Sequence, residues 1–165
     1  MIETERKLVI LMPDREKMKK EDNYTESRIE QIYLYDPDIT RRVRKREFSN
    51  GVCEYTENTK RRISRMSCIE NERRISAEEY SDLSLRIEDG ARPLAKMRIT
   101  FSFRGKTVEI DTYPEWGKTA ILEVELERED EDIELPEYIT VVKDVTGEKA
   151  YSNHSMAHNF PKELL

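Results

Sequence analysis

Long apolar runs and cysteines are what this 165-residue sequence most lacks. No apolar stretch approaches the roughly 20 residues that a transmembrane helix needs. The amino terminus has no apolar segment of the signal-peptide type. The two cysteines, Cys53 and Cys68, lack the spacing of a metal site, and we interpret them as reduced thiols. These features predict a cytoplasmic protein without a membrane partner.

Apolar residues are also scarce relative to charged ones, at 36% against 39%. This composition is poor for an ordinary globule with an apolar interior and borders on that of disordered chains. Eight tyrosines, four phenylalanines and regular apolar alternation nevertheless indicate a folded chain. Because the sequence has no repeat and no low-complexity linker, we predict a single domain over residues 1–165.

Familiar catalytic motifs are missing as well. The sequence contains neither a Walker A loop nor a supported Ser-His-Asp set. Its two histidines, His154 and His158, have an i,i+4 spacing that suits metal binding. No third ligand lies nearby in the sequence, which favours an exposed helix instead.

Charged and apolar residues alternate along the predicted strands. Successive side chains of a strand point to opposite faces, so Glu3, Glu5 and Lys7 share one face. The other face of that strand carries Ile2, Leu8 and Ile10. The remaining acidic faces are Glu70 with Glu72, Glu109 with Asp111, and Glu123 with Glu125. The basic faces are Arg42 with Arg44, Lys60, and Lys96 with Arg98.

Other local signals place further elements. The pattern predicts a polar connection over 23–28, strands over 29–35 and 63–72, and a mixed connection over 136–145. A capping box at Ser76 predicts a helix, and Asn153 is expected to begin a terminal helix that extends through His158. Trp116 is expected to be a hydrophobic anchor.

Two architectures account for the charged faces. An open sheet would turn them to water, where ion pairs contribute little. Alternatively, about eight strands could close into a barrel with the charges inside and helices outside. Buried charges need partners, and a polyanion with a divalent cation would supply them, because arginine binds phosphate oxygens and Mg²⁺ binds carboxylate and phosphate oxygens.

The order of the charged motifs along the chain resembles the CYTH domain, or triphosphate tunnel metalloenzyme family. The set opens with Glu3-x-Glu5-x-Lys7 and closes with the segment from Lys149 to Asn153. The resemblance implies an α+β, mainly β fold, an eight-stranded antiparallel closed barrel or tunnel with a charged lumen and helices packed outside. It also implies that the tunnel binds a triphosphate end-on and hydrolyses it with Mg²⁺ or Mn²⁺.

The resemblance implies a role for each charged position. The metal ligands would be Glu3, Glu5, Glu70, Glu72, Glu123 and Glu125. The phosphate-binding residues would be Lys7, Arg42, Arg44, Lys60, Lys96, Arg98 and Lys149. The catalytic residues would be Glu109 and Asp111, which hold a second metal or orient water, and Lys96, which protonates or neutralises the leaving group. One departure is Cys68, which stands where many relatives carry arginine, and Arg65 is the substitute that we consider.

The substrate remains open at this stage. Inorganic tripolyphosphate, cleaved to pyrophosphate and phosphate, is our leading hypothesis, because the chain is small and has no obvious base-reading element. The alternatives are an adenylate cyclase, an organic (nucleoside or thiamine) triphosphatase, and a non-catalytic polyphosphate- or nucleotide-binding module. The expected partner is a small-molecule triphosphate, with no nucleic acid, and the expected assembly is a monomer or homodimer.

Overall fold

Nine strands and three short helices make up the computed structural model, which describes residues 1–165. The strands are β1 Ile2–Leu11, β2 Asp22–Leu34, β3 Thr40–Phe48, β4 Cys53–Arg62, β5 Ser67–Arg74, β6 Leu94–Phe103, β7 Lys106–Thr112, β8 Thr119–Glu125 and β9 Val141–Asp144. The helices are α1 Arg15–Met18, α2 Ala77–Ser84 and α3 Asn153–His158. None of these helices has the length and apolar character that crossing a membrane would require.

Eight of the strands form a closed antiparallel barrel. The sheet runs β5-β4-β3-β2-β6-β7-β8-β1, and β1 then pairs with β5, where Glu3 lies opposite Cys68. Closure removes the exposed strand edges that an open sheet would present. The short strand β9 pairs with β1 over Leu8 to Ile10, along the edge of β1 that β5 leaves unpaired beyond Thr4. The predicted eight-stranded antiparallel barrel is therefore confirmed.

The main apolar core lies outside the barrel wall. Leu8, Ile10, Ile110 and Leu122 point outward and form one cluster, which Met18 of α1 helps to cover. Burial of one such side chain contributes roughly 1.5–3 kcal/mol, so this outer layer is a major source of stability. Its cover does not reach the start of β1, where the strand pairs with β5, and Ile2 is 64% exposed. Ile2 shares a face of β1 with Leu8 and Ile10, as the alternation predicts, but it does not join their packed layer.

A second outer cluster lies under α2. Tyr80 of that helix packs against Ile32 and Val43 of the barrel wall. The predicted capping box is present, because the Ser76 hydroxyl accepts from the Glu79 amide while the Glu79 side chain accepts from the Ser76 amide. The helix thus begins where the sequence predicts and covers the β2–β3 side of the barrel.

One end of the lumen is filled by apolar side chains. Val9 lies two residues beyond Lys7 on the inward face of β1, and it packs with Tyr33 and with Met156 of α3. Trp116 is buried in the same cluster, and its indole N–H donates to the Pro161 carbonyl at 3.0 Å. The carboxyl-terminal segment therefore closes this end, and Trp116 is the expected anchor.

Three element predictions differ from the structure. Strand β2 already begins at Asp22, because the polar side chains of 23–28 can face water or the lumen within a strand. Strand β5 begins only at Ser67, after a turn in which the Ser64 hydroxyl accepts from the Ser67 amide at 3.1 Å. Strand β9 has only four residues, three of them exposed, so its sequence carries little strand signal.

Candidate active site in the barrel lumen

A cavity of ≈ 770 Å³ occupies the lumen. Its walls are charged side chains from seven of the barrel strands, with further groups from residues 145–155. The predicted site residues that line it are Glu3, Glu5, Lys7, Arg42, Arg44, Lys60, Glu70, Glu72, Arg98, Glu109, Glu123, Glu125 and Lys149. The structure thus brings together all but two of the residues that the sequence singled out.

The two predicted residues outside this lining are Lys96 and Asp111. They form a buried ion pair with 2.8 Å between Nζ and Oδ2, and their side chains are 0% and 2% exposed. Asp111 also binds Arg98 through both carboxylate oxygens, at 2.7 and 2.8 Å. Burial, opposed by Asp111, lowers the pKa of Lys96 to about 7. Both residues share the inward faces of β6 and β7 with Arg98 and Glu109 but are fully covered, a position that favours support of Arg98 over direct contact with a ligand.

Arg42 and Arg44 of β3 form a basic wall with little anionic compensation, because Arg42 has one long ion pair, at 3.9 Å to Glu70, and Arg44 has none. The Nε of Arg42 is buried without a hydrogen-bond partner, and its Nη1 donates to the Tyr33 hydroxyl at 3.4 Å. Arg44 donates twice to the neutral Gln31 amide oxygen, at 3.0 and 2.6 Å. Burial and the charges of Arg42 and Arg98 lower the pKa of Arg44 to about 9. This wall therefore carries uncompensated positive charge that an anion would stabilise.

Arg98 has a different environment, although it faces the same lumen. Its Nη1 donates to Glu109 at 2.9 Å, in addition to its two bonds to Asp111. These carboxylates outweigh the effect of burial and raise the pKa of Arg98 well above its usual value. Arg98 is thus largely neutralised within the protein, whereas Arg42 and Arg44 are not.

The opposite wall is acidic and has its own surplus of charge. Glu5 of β1 lies directly opposite Glu125 of β8 in the ladder, and neither carboxylate has an ion-pair partner. Burial, with the charges of Glu123 and Glu3, raises the pKa of Glu5 to about 8. Burial and Glu109 likewise raise the pKa of Glu125. Crowded carboxylates of this kind suit a divalent cation, which takes oxygen ligands.

Glu123 is the paired member of this wall. Lys7 lies 3.3 Å from it, and Lys7 and Arg98 outweigh burial to lower the pKa of Glu123 to about 2. Lys7 Nζ also donates to the Tyr151 carbonyl at 3.2 Å. The ammonium group is thereby fixed between the acidic wall and the carboxyl-terminal segment.

A mixed network joins the two walls through β4 and β5. Lys60 Nζ lies 3.1 Å from Glu3 and 3.9 Å from Glu70. Asn58 donates to Glu70 at 2.9 Å and to Glu72 at 3.2 Å. Glu72 is exposed, so the cavity reaches solvent past it. The network holds the second acidic pair in place beside the basic wall.

The segment that follows β9 completes the lining. Asn153 at the start of α3 accepts from Lys96 at 3.4 Å and from the Tyr113 hydroxyl at 2.8 Å. Arg65, the substitute considered for the arginine missing at Cys68, lines the cavity, but its Nε donates to the Thr146 carbonyl at 2.8 Å. Lys149 lies at the exposed rim.

Sequence reasoning missed several lining residues. Tyr33, Asn58 and Arg46 line the cavity, where Tyr33 accepts from Arg42, Asn58 donates to Glu70, and Arg46 donates to Ser27 at 2.8 Å. Gln31 is fully buried behind Arg44 and accepts from it. Each of these residues shares the inward face of its strand with a predicted site residue or lies opposite one on the neighbouring strand. The alternation of side chains along a strand could therefore have identified them. The neutral or aromatic character of Gln31, Tyr33 and Asn58 gave no separate sign of a site.

Comparison with known proteins finds no matching family model and no matching curated protein. Solved structures do match. The crystal structure of the inorganic triphosphatase NE1496 has a TM-score of 0.58 at 24% identity, over 96% of this chain and 96% of that chain. A crystal structure of the hypothetical protein NE1496 gives 0.57 at 24% identity, over 96% and 99%. The PH1819 protein from Pyrococcus horikoshii OT3 gives 0.56 at 22% identity, over 76% and 80%. These likenesses show a shared fold.

Proposed function

We propose that this chain is a metal-dependent triphosphatase that hydrolyses inorganic tripolyphosphate to pyrophosphate and phosphate in its lumen. The observation that carries the proposal is one cavity that contains a buried arginine without an anionic partner, Arg44, together with two glutamates without cationic partners, Glu5 and Glu125. A polyanion together with a divalent cation satisfies both sets. The similarity to a protein described as an inorganic triphosphatase supports the same class of reaction.

Phosphate binding is assigned first to Arg42 and Arg44. Gln31 fixes the guanidinium group of Arg44, and the guanidinium group of Arg42 lines the cavity with its buried Nε left without a hydrogen-bond partner. Lys7 and Lys60 add positive charge from the facing walls, and Lys149 adds it at the rim. Phosphoryl transfer depends mainly on such positioning and charge neutralisation, so no nucleophilic side chain is required.

Metal binding is assigned to two carboxylate groups. The residues that would hold Mg²⁺ or Mn²⁺ are Glu3, Glu5, Glu123 and Glu125, with Glu70 and Glu72 as a second set. A bound cation would supply phosphate charge neutralisation and a water of lowered pKa. The raised pKa values of Glu5 and Glu125 fit this assignment, because a cation favours their ionised forms.

Glu109 is the candidate for orienting the attacking water. It lines the cavity, lies opposite Glu123 in the ladder and is fixed by Arg98. Lys96 and Asp111 are assigned a positioning role instead, because they are buried behind Arg98. This revises the direct roles that the sequence suggested for those two residues.

The lining favours an inorganic substrate over a nucleotide. Bases are commonly held by stacking on aromatic side chains. Tyr33 is the tyrosine that lines the cavity. Its ring already packs against that of His154, with 5.0 Å between the ring centroids. Its hydroxyl is directed to Arg42. The remaining walls are mostly charged, as a bare phosphate chain requires.

Phosphate release from tripolyphosphate, ATP and thiamine triphosphate, each with Mg²⁺ or Mn²⁺, tests the proposal. We expect the fastest turnover with tripolyphosphate and none after metal is chelated. Glu5→Gln should abolish turnover, whereas Lys45→Ala, a substitution on the outer face of β3, should leave it unchanged. Faster hydrolysis of an organic triphosphate would overturn the substrate assignment.

Two further outcomes would redirect the proposal. Cyclic AMP formed from ATP and Mn²⁺ would indicate a cyclase. Tight metal-dependent binding of tripolyphosphate without turnover above buffer would indicate a binding module. Both are measured with the same proteins and metals, so one set of experiments separates the three functions.

A further inference from the structure

A cluster of one carboxylate and two imidazoles lies at the closed end of the barrel, apart from the proposed metal-binding glutamates. His154 and His158 project from successive turns of α3, and Glu88 comes from the segment between α2 and β6. The Nε2 atoms of both rings approach Glu88 Oε1, at 3.0 Å from His154 and 2.5 Å from His158. The three potential ligand atoms all lie within 4.8 Å of one another.

These positions are close to those of a tetrahedral metal site. With metal–ligand bonds of roughly 2.0–2.1 Å, adjacent tetrahedral ligands lie about 3.3 Å apart. Small side-chain rotations would therefore suffice to place an ion between the three atoms. Two imidazoles and one carboxylate form a ligand set that zinc uses in proteins.

The backbone holds the cluster together before any ion binds. The Glu88 amide donates to the Tyr33 carbonyl at 2.8 Å, which fixes the acidic ligand to β2. The Arg92 amide donates to the Ala157 carbonyl at 2.9 Å, which fixes α3 to the same connecting segment. The side chains remain partly open, at 37% for His154, 31% for His158 and 26% for Glu88. Solvent can therefore supply a fourth ligand.

We propose that Glu88, His154 and His158 bind one zinc-class divalent transition-metal ion, which fastens α3 over the closed end of the barrel. The sequence pattern of two histidines at i,i+4 gains its third ligand only through the fold. The ion would be chemically distinct from the cations of the lumen, because imidazole suits zinc whereas an all-oxygen set suits magnesium. The expected consequence is structural, since α3 carries Asn153, the acceptor for Lys96 and Tyr113.

Imidazole nitrogen spectra of the whole chain during titration with Zn²⁺ test the proposal directly. The chain contains only two histidines, and both belong to this cluster, although His154 also borders the lumen cavity. Excess Mg²⁺ should be present throughout to occupy the lumen. We expect the Nε2 resonances of both rings to shift together and saturate at one ion, with a higher melting temperature for the zinc-bound protein.

Matched variants separate this cluster from the lumen. Glu88→Gln and His158→Gln should each weaken Zn²⁺ binding at least ~100-fold. This loss of affinity is larger than the one usually seen when a residue that only supports a metal ligand is removed. Asp89→Asn, an exposed neighbour, and Glu5→Gln, in the lumen, should leave the imidazole titration unchanged. Histidine resonances that do not respond to Zn²⁺ in the unaltered chain would overturn the proposal. So would a zinc affinity that is lost in Glu5→Gln but kept in Glu88→Gln.

Discussion

Replacing Glu5 with glutamine should stabilise the metal-free protein, and the gain should grow with pH. Burial, Glu123 and Glu3 raise the pKa of Glu5 from 4.5 to about 8. A carboxyl group with a raised pKa in the folded state stabilises the fold while protonated. Its contribution is complete below the unfolded pKa and is lost as pH rises through the folded one. Glutamine retains the neutral form at every pH.

The size of the effect follows from the two pKa values. Each tenfold difference in proton affinity corresponds to about 1.4 kcal/mol. Relative to glutamine, Glu5 should lower the free energy of unfolding by ~1 kcal/mol at about pH 5.5 and by ~4 kcal/mol at about pH 8. The advantage of Glu5→Gln should therefore grow by ~3 kcal/mol across this interval, a large part of a typical domain stability of about 5–15 kcal/mol.

Urea unfolding at both pH values, with a chelator present, measures this change. Glu137→Gln is the matched control, because Glu137 is an exposed glutamate with no ion pair. If the free energy of unfolding changed with pH to the same extent in the original chain and in Glu5→Gln, the conclusion that ionised Glu5 destabilises the metal-free fold would be refuted. Adding Mn²⁺ at the higher pH should stabilise the original chain more than Glu5→Gln, because the cation favours the ionised carboxylate.

Three further substitutions probe other parts of the molecule. Asp111→Asn removes the carboxylate shared by two buried cations and should lower the free energy of unfolding by ~3–5 kcal/mol, and an unchanged urea midpoint would contradict this. Gly147→Ala should lower the melting temperature more than Gly51→Ala, because a Cβ at Gly147 would lie 2.1 Å from a neighbouring arginine side chain, whereas Gly51 has open space and a similar positive φ. Arg44→Ala should weaken tripolyphosphate binding by ~1.5–3 kcal/mol, or roughly 10- to 150-fold, in calorimetric titrations where Lys45→Ala has no effect.

The alternation of charge was enough to predict which residues face the lumen. A strand has a period of two, so one correctly placed residue assigns every other residue of that strand to a face. On β3 this put Arg42 and Arg44 inside and Arg41 outside. In the structure, Arg41 pairs with Asp36 at 3.0 Å and with Glu57 at 3.4 Å, away from the cavity.

Pairing between strands could not be predicted in the same way. Arg44 and Arg98 both sit on charged strand faces, yet only Arg98 lies opposite an acid, because the β6–β7 register places it at Asp111. Lys96 is buried because Asn153 and the chain around it fold back over that end of the lumen. Register and closure depend on contacts between distant segments, about which single-strand patterns carry no information.

The cluster at α3 shows the same limit. The i,i+4 pair was visible in the sequence, but Glu88 lies 66 residues before His154. Strands β6 to β9 lie between these two residues in the sequence, so only the closed fold supplies the third ligand. The sequence favoured an exposed helix because no third ligand lies nearby in it, whereas in the structure both rings contact Glu88 from a distant segment.

The position of the core explains how this barrel can tolerate unpaired charge. Outward residues such as Leu122 and Ile110 supply much of the apolar burial, so stability does not require apolar side chains throughout the lumen. The lumen can then carry Arg44 and Glu5 in unfavourable surroundings, with the strain relieved only by ligand. Substitutions of these unpaired residues should raise or preserve stability while removing function, and substitutions in the outer layer should do the reverse. Glu5→Gln combines both expectations, because the same change that stabilises the metal-free barrel should abolish turnover.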